Sequence, residues 1–314
     1  MKYEDKRESG LVDGGRVAMK LSRREFLKLS GAGLGASVAG GALAPAVMAQ
    51  DSENALGILY DPSKCIGCRA CQMACKQWNE LPAESNDAQE LWETPLGLSA
   101  ITWNIIKLRA ESEPRTRFFN YQCMHCADAA CVTACPSGAL FKDENGFTAY
   151  DRSKCIGCGY CTQWCPYDVP GLEFKSQITG VAKAGKCTFC QDRIWLGIGG
   201  PSCAERCPVG ALEWGPRAEL LELGKTRVEE LKAEGLSSAR LYGETEAAGL
   251  GRLSILFDEP RAYNLPTDPV TPTTARIWQV IVQALGGLAI VGVTLGAFFA
   301  FLFSRGKIQM EEVE

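Results

Sequence analysis

Sixteen cysteines are the residues best able to do chemistry in this 314-residue chain, and they fall into four groups of four. The first is "CIGCRACQMAC", with Cys65, Cys68, Cys71 and Cys75. The second is "CMHCADAACVTAC", with Cys123, Cys126, Cys131 and Cys135. The third is "CIGCGYCTQWC", with Cys155, Cys158, Cys161 and Cys165. The fourth, "CTFCQDRIWLGIGGPSCAERC", stretches the middle spacing over Cys187, Cys190, Cys203 and Cys207, and no cysteine is left over. Cysteines this dense would make strained disulfides. Zinc also takes paired C-x2-C motifs, but it wants two pairs separated by a longer loop. Four cysteines within eleven residues, repeated, suit an iron–sulfur cluster better.

The first and third groups have the C-x2-C-x2-C-x3-C spacing of bacterial ferredoxins. Three closely spaced thiolates wrap three corners of a cubane, and the fourth, already in a helix, points at the neighbouring cluster. Pro136, Pro166 and Pro208 follow the last cysteines of their groups, whereas Lys76 follows Cys75. Gly67 and Gly157 sit inside the ligand loops, where backbone must come close to sulfur. All sixteen cysteines fit four [4Fe–4S] clusters.

An internal repeat assigns partners. "DPSKCIGC" at Asp61 returns as "DRSKCIGC" at Asp151, and "CPSGAL" at Cys135 returns as "CPVGAL" at Cys207. The second and third groups lie close together and form one unit, with Cys123, Cys126, Cys131 and Cys165 on one cluster and Cys135, Cys155, Cys158 and Cys161 on the other. The same crossover pairs the first and fourth groups: Cys65, Cys68, Cys71 and Cys207 on one cluster, Cys75, Cys187, Cys190 and Cys203 on the other. Pairing the first group with the second is the alternative, and it strands the fourth. The expected class is α+β: two pseudo-symmetric two-cluster ferredoxin-like units, one inserted in the other, plus a single C-terminal transmembrane helix.

Other elements must position these groups. "LSAITWNIIKLRAESEPRTRFFNYQC" alternates as two short strands near Ile101–Leu108 and Arg115–Asn120. "RAELLELGKTRVEELKAEG" reads as a surface helix ending at Gly235, and Arg252–Phe257 as a strand. The expected organisation is a first unit over 50–122 and 181–215, a second over 123–180, a helix-and-strand extension over 216–265 and a Pro/Thr linker over 266–276. The transmembrane helix over 277–303 and a cytoplasmic tail over 304–314 complete it. His125, the single histidine, either fills its loop or tunes a cluster by a hydrogen bond to sulfur. One histidine excludes bis-histidine haem ligation within the chain. The aromatic residues Trp78, Trp164 and Tyr167 read as packing against water rather than as relays. No catalytic set is evident, and a net charge of −4 gives no nucleic-acid footprint.

Both ends read as addresses. Arg23-Arg24 precede Phe26-Leu27 and a weakly hydrophobic Gly/Ala run closing at Val47-Met48-Ala49, the pattern of a twin-arginine (Tat) signal over 1–49. Met19 is a second candidate start. Tat export of folded protein lets clusters cross already ligated, so the thiolates never meet an oxidising compartment bare. Ile277 to Phe303 carries no charge, enough to span a bilayer. Trp278 sits where an interfacial aromatic belongs, and Arg305 and Lys307 follow on the expected inner side.

Four such groups in this order, the fourth widened, resemble the iron–sulfur subunits of molybdopterin-dependent oxidoreductases. The chain is most similar to the beta subunits of membrane-bound formate dehydrogenases. "CIGCRACQMACKQWNE", "LSAITWNIIKL", "CMHCADAACVTACPSGAL", "CIGCGYCTQWCPYDVP", "KCTFCQDRI" and "LYGETEAAGLGRLSILF" carry the likeness, over roughly residues 55–305. The resemblance implies a large molybdenum or tungsten catalytic subunit outside the cytoplasmic membrane, a membrane cytochrome b subunit and the quinone pool. It leaves haem and molybdopterin to those partners, with only four [4Fe–4S] clusters here. The chain's own twin-arginine leader departs from that pattern and is similar to the iron–sulfur subunit of a membrane-bound nickel–iron hydrogenase. Gly286, Gly287, Gly292 and Gly296 give the anchor small-residue faces for partner helices.

Overall fold

A computed structural model describes residues 55–85, 95–110, 116–174 and 181–304. The twin-arginine leader, Met19 and the tail with Arg305 and Lys307 lie outside the described residues.

The order of elements begins β1 (Leu56–Tyr60), α1 (Ala70–Trp78), β2 (Asn104–Ala110), β3 (Thr116–Gln122), α2 (Ala130–Thr133), β4 (Leu140–Lys142) and β5 (Thr148–Tyr150). It continues with α3 (Tyr160–Trp164), β6 (Gly171–Phe174), β7 (Ala182–Gly185), α4 (Gln191–Trp195), α5 (Ser202–Glu205), β8 (Leu212–Pro216) and α6 (Arg217–Ala233). After β9 (Arg240–Tyr242) and β10 (Arg252–Leu256), one helix, α7, runs over Thr273–Ser304. Four strands form one sheet in the order β8-β1-β10-β9, with β1 antiparallel to β8 and parallel to β10. The remaining strands pair as the hairpins β2–β3, β4–β5 and β6–β7.

Side chains alternate faces along a strand, and that alternation divides the four-stranded sheet. Leu59, Leu253, Ile255 and Phe257 meet Leu220, Val228 and Leu231 of α6 on one face. Ile58, Tyr60 and Leu256 join Phe119, Phe189 and Cys203 on the other. The helix over Arg217 is therefore a cover for the sheet, with a polar outer face. Its stop is the one its glycine suggests. Gly235 has φ 97, its N–H donates to Lys232 O at 3.0 Å, and Leu236 N–H donates to Leu231 O at 2.9 Å. This is a Schellman closure, which glycine enters without a Cβ penalty.

Strand β2 begins later than the alternation predicts. Ser99 and Thr102 close a turn first (Ser99 N–H to Thr102 O, 3.0 Å), and Trp103 Nε1–H donates to Ala100 O at 2.7 Å. Alternation cannot reveal a turn whose own side chains are half apolar. The Pro/Thr segment before α7 lies along the body. Pro266 O accepts the Tyr242 hydroxyl (2.7 Å), Pro269 O accepts the Ala247 amide (3.1 Å), and Thr271 Oγ1–H donates to Asp128 O (3.2 Å). Arg276 reaches Asp128 Oδ2 at 2.8 Å. The most apolar 18-residue stretch of helix α7 has a mean hydropathy of 2.2 with none of it buried, and Trp278–Val282 winds as a π-helix. The helix is long and apolar enough to cross a membrane.

Candidate functional site: four cysteine quartets

Each quartet takes three cysteines from one sequence group and one from another. Cys65, Cys68, Cys71 and Cys207 line one cavity. Cys123, Cys126, Cys131 and Cys165 line a second, and Cys135, Cys155, Cys158 and Cys161 a third. Cys75, Cys187, Cys190 and Cys203 are all buried, and the charges of Cys187 and Cys190 act on Cys75. Among the described residues no three Cys, His, Asp or Glu side chains converge as they would on one ion. The quartets ring a space instead, which suits a cubane.

Local structure explains the sharing. Cys71 and Cys75 lie one turn apart on α1, and that helix contacts α5, which carries Cys203. Helices α2 and α3 contact each other in the same way around Cys131 and Cys161. The strands entering the two CIGC loops repeat as well. Tyr60 pairs with Leu212 as Tyr150 pairs with Leu140. Asp61 N–H donates to Ala211 O (2.9 Å) as Asp151 N–H donates to Ala139 O (2.8 Å). Asp61 Oδ1 accepts from the Ser63 amide and hydroxyl (2.8 and 2.6 Å), and Asp151 Oδ1 accepts the same pair from Ser153 (2.9 and 2.5 Å). Each aspartate thus builds an Asx turn that leads the chain into its ligand loop.

Inside those loops Gly67 and Gly157 have φ +70 and +73. A Cβ on Gly157 would stand 2.3 Å from Ala182 O, and one on Gly67 would stand 2.5 Å from the Phe118 ring. Gly157→Ala is expected to cost on the order of 1–3 kcal/mol from left-handed backbone alone, with the carbonyl clash added. Iron analysis of the purified variant should show loss centred on the Cys155 quartet; a full iron complement would mean the loop has room.

The thiols have the electrostatics of ligands. Burial, then neighbouring thiolates, pushes Cys71 and Cys161 up to about 12. Burial likewise pushes Cys187 to about 12 and Cys165 to about 11. A nucleophilic cysteine needs the opposite shift. These thiols give up their protons when positive iron takes the protons' place. Cys155 is lowered: burial raises it, but the Ala184 amide, the Tyr150 hydroxyl and the Gly157 amide together outweigh burial. Backbone amides reach other sulfurs, Ala211 N to Cys207 Sγ at 3.2 Å and Ser202 N to Cys190 Sγ at 3.4 Å. Such donors stabilise the negative sulfur of a cluster.

His125 is fully buried at φ 50, and Phe189 takes the matching place in "CTFC" at φ 64. Their rings meet edge-on at 5.1 Å, and His125 Nδ1 accepts the Thr148 amide at 3.2 Å. Burial, then Lys186, Lys142 and Arg252, holds the imidazole well below its ordinary value, so it is neutral. Its loop-filling role is the one these contacts serve. Trp78 Nε1–H donates to Asp192 (2.8 Å), Tyr167 and Tyr242 share their hydroxyls (3.2 Å), and Trp164 stacks on Tyr160 (5.3 Å). A cleft of about 210 Å³ beside α6 is lined by no cysteine, and its Lys64–Glu213 and Arg227–Asp61 pairs satisfy each other.

Sequence reasoning passed over the polar residues between quartets. Asn120 Nδ2 lies 3.6 Å from Cys71 Sγ, and Asn79 Nδ2 lies 3.7 Å from Cys75 Sγ. Lys186 is buried with its ammonium on Thr148 O and Cys187 O, 2.8 Å each. Arg252 is buried completely. Only Lys186, next to a ligand, carried any signal in the sequence.

Two family models described as "4Fe-4S dicluster domain" match, over residues 64–139 and 114–217. The chain is 33% identical over 267 residues to the nitrate-inducible formate dehydrogenase iron–sulfur subunit of Escherichia coli, covering 83% of this chain and 89% of that protein. It is 32% identical to the formate dehydrogenase iron–sulfur subunit of Haemophilus influenzae, covering 87% and 88%. It is 35% identical to the hydrogenase-2 operon protein HybA of Shigella flexneri, covering 66% of each. Two dicluster domains and sixteen cysteines make four [4Fe–4S] clusters the cofactors of this chain, which belongs to the family of formate dehydrogenase iron–sulfur subunits.

Proposed function

We propose that this chain is the electron wire of a membrane-bound formate dehydrogenase. It takes electrons from a molybdenum or tungsten molybdopterin subunit that oxidises formate and delivers them to a membrane cytochrome b and the quinone pool. Each cluster, when bound, supplies reversible one-electron exchange. The chain's own residues hold the four groups in a row. Cys65, Cys68, Cys71 and Cys207 ligate the first, Cys75, Cys187, Cys190 and Cys203 the second. Cys123, Cys126, Cys131 and Cys165 ligate the third, Cys135, Cys155, Cys158 and Cys161 the fourth. On this reading the unit over 123–180 is inserted in the unit formed by 50–122 and 181–215. The matching Tyr60–Leu212 and Leu140–Tyr150 registers support it.

The observation that carries the reading is a linear order with two open ends. The charge of Cys71 acts on Cys75, that of Cys123 on Cys187 and that of Cys161 on Cys131, which supports a row of quartets in that order. Cys68 at one end and Cys158 at the other are exposed, whereas the second quartet is buried throughout. Beside the last quartet, Tyr160 of α3 meets Trp278 of α7 at 4.6 Å. Electrons therefore enter at the Cys68 end and leave beside the anchor. The iron–sulfur body stands on the outer face of the cytoplasmic membrane after Tat export, with α7 in the lipid and the C-terminus inside.

A second reading, the iron–sulfur subunit of a nickel–iron hydrogenase or of another molybdopterin oxidoreductase, has two observations in its favour. The leader carries its own twin arginine, and the hydrogenase-2 operon protein is among the similar proteins. Metal analysis of the complex that co-purifies with the chain from its own membranes separates the two. Molybdenum or tungsten with formate-to-dye activity is expected. Nickel without either metal would overturn the formate reading.

A further inference from the structure

Arg252 is the largest side chain that is completely buried. The alternation of β10 turns Leu253 and Ile255 toward α6 and leaves Arg252 on the face that meets the cysteines. Its Nη1–H donates to Asn120 Oδ1 at 2.7 Å and its Nη2–H to Asn120 O at 2.8 Å. Both acceptors belong to one neutral residue, and Nε has no hydrogen-bond partner. No ion pair among the described residues includes it. The guanidinium lies 5.4 Å from the Tyr60 ring centroid. Besides Tyr60, the groups acting most strongly on its charge are Cys203, Cys187 and Cys71, from two adjacent quartets.

A guanidinium cannot neutralise itself by losing its proton. Burying it without a counter-charge costs several kcal/mol. The counter-charge must come from what the quartets hold, since four thiolates outweigh the positive charge of a cubane's core. We propose that Arg252 sets the potential of two neighbouring clusters at once, those of the Cys65–Cys68–Cys71–Cys207 and Cys75–Cys187–Cys190–Cys203 quartets, raising both. The proposal rests on the ligand sets given above. The step it biases is uptake of one electron, with no bond made or broken and no proton taken up. The added negative charge is stabilised by a fixed cation in a low-dielectric interior. Asn120 extends the effect: the guanidinium pins its carbonyl side, and its amide, which donates to Asn104 Oδ1 at 2.7 Å, also reaches Cys71 Sγ at 3.6 Å. A donor to sulfur acts in the same direction.

The test is a redox titration of the co-purified complex with dithionite and mediators, followed by EPR, comparing wild type, Arg252→Gln and Arg252→Lys. The ligand sets are checked separately, by whether Cys71→Ala and Cys75→Ala lose different EPR features. In Arg252→Gln two of the four midpoint potentials are expected to fall together. Each fall is a tenfold loss in reduced-to-oxidised ratio at fixed poise, about 59 mV for one electron. The other two hold, and Arg252→Lys stays near wild type. Movement in fewer than two potentials, or an equal fall in Arg252→Lys, overturns the proposal. If Arg252→Gln purifies short of iron, selective loss of two clusters supports it, and loss of all four assigns the arginine to the fold and overturns it.

Discussion

Cys75→Ala and Cys71→Ala, one helical turn apart, are expected to damage different clusters. Cys71 lines a cavity with Cys65, Cys68 and Cys207, whereas Cys75 is buried with Cys187, Cys190 and Cys203. Each variant should lose up to about four of some sixteen iron. The EPR features lost in Cys71→Ala should be those lost in Cys207→Ala, while Cys75→Ala should share its loss with Cys203→Ala. The effect is large because each missing ligand opens a cavity whose other thiols are buried. Without iron, those thiols, pushed far up by burial, simply keep their protons. On the proposed reading, with the quartets in series, formate-to-quinone electron transfer should be abolished in all four variants. Formate-to-dye activity, which that reading gives to a catalytic partner, should persist. A shared loss in Cys71→Ala and Cys75→Ala would mean that each sequence group serves its own cluster, and the crossed ligand sets would be wrong.

Ending the chain after Ile277 is expected to move it from the membrane to the soluble fraction with its iron intact. Helix α7 runs 32 residues, about 48 Å at 1.5 Å per residue, against a hydrocarbon core of about 30 Å. Its exposed side chains include Leu288, Ile290, Val293, Phe299 and Phe303, a surface that lipid or partner helices must cover. A single Ile290→Arg change costs only about 2.5–3.5 kcal/mol at a helix centre, so it should leave the chain anchored. Truncation is the decisive variant. The strap before α7 stays on the body through Pro266, Pro269 and Thr271, so the four quartets need not suffer. A truncated chain that remained membrane-bound in the absence of its partners would show that the anchor lies elsewhere.

The sequence by itself determined the cofactor. Three cysteines of a tight group can share one cluster because the short loops between them leave the chain little freedom. The repeated DxSKCIGC and CPxGAL stretches declared the two units for the same reason. The helix over Arg217, its glycine stop and the apolar C-terminal helix were legible from periodicity and length, which are properties of neighbours in the chain. Tertiary structure decided what depends on residues far apart in sequence. It brings Cys207 to Cys71 and Cys203 to Cys75, by wrapping β8 against β1 and α5 against α1. It carries Arg252 to Asn120 from 132 positions away, and it lays the Pro/Thr segment along the body instead of leaving it free. The cysteine groupings are those the repeat and the crossover spacing led one to expect; the arginine contact and the course of the Pro/Thr segment follow from no local spacing. A buried arginine in a strand reads as an exposed one until the sheet and the cysteine body close around it.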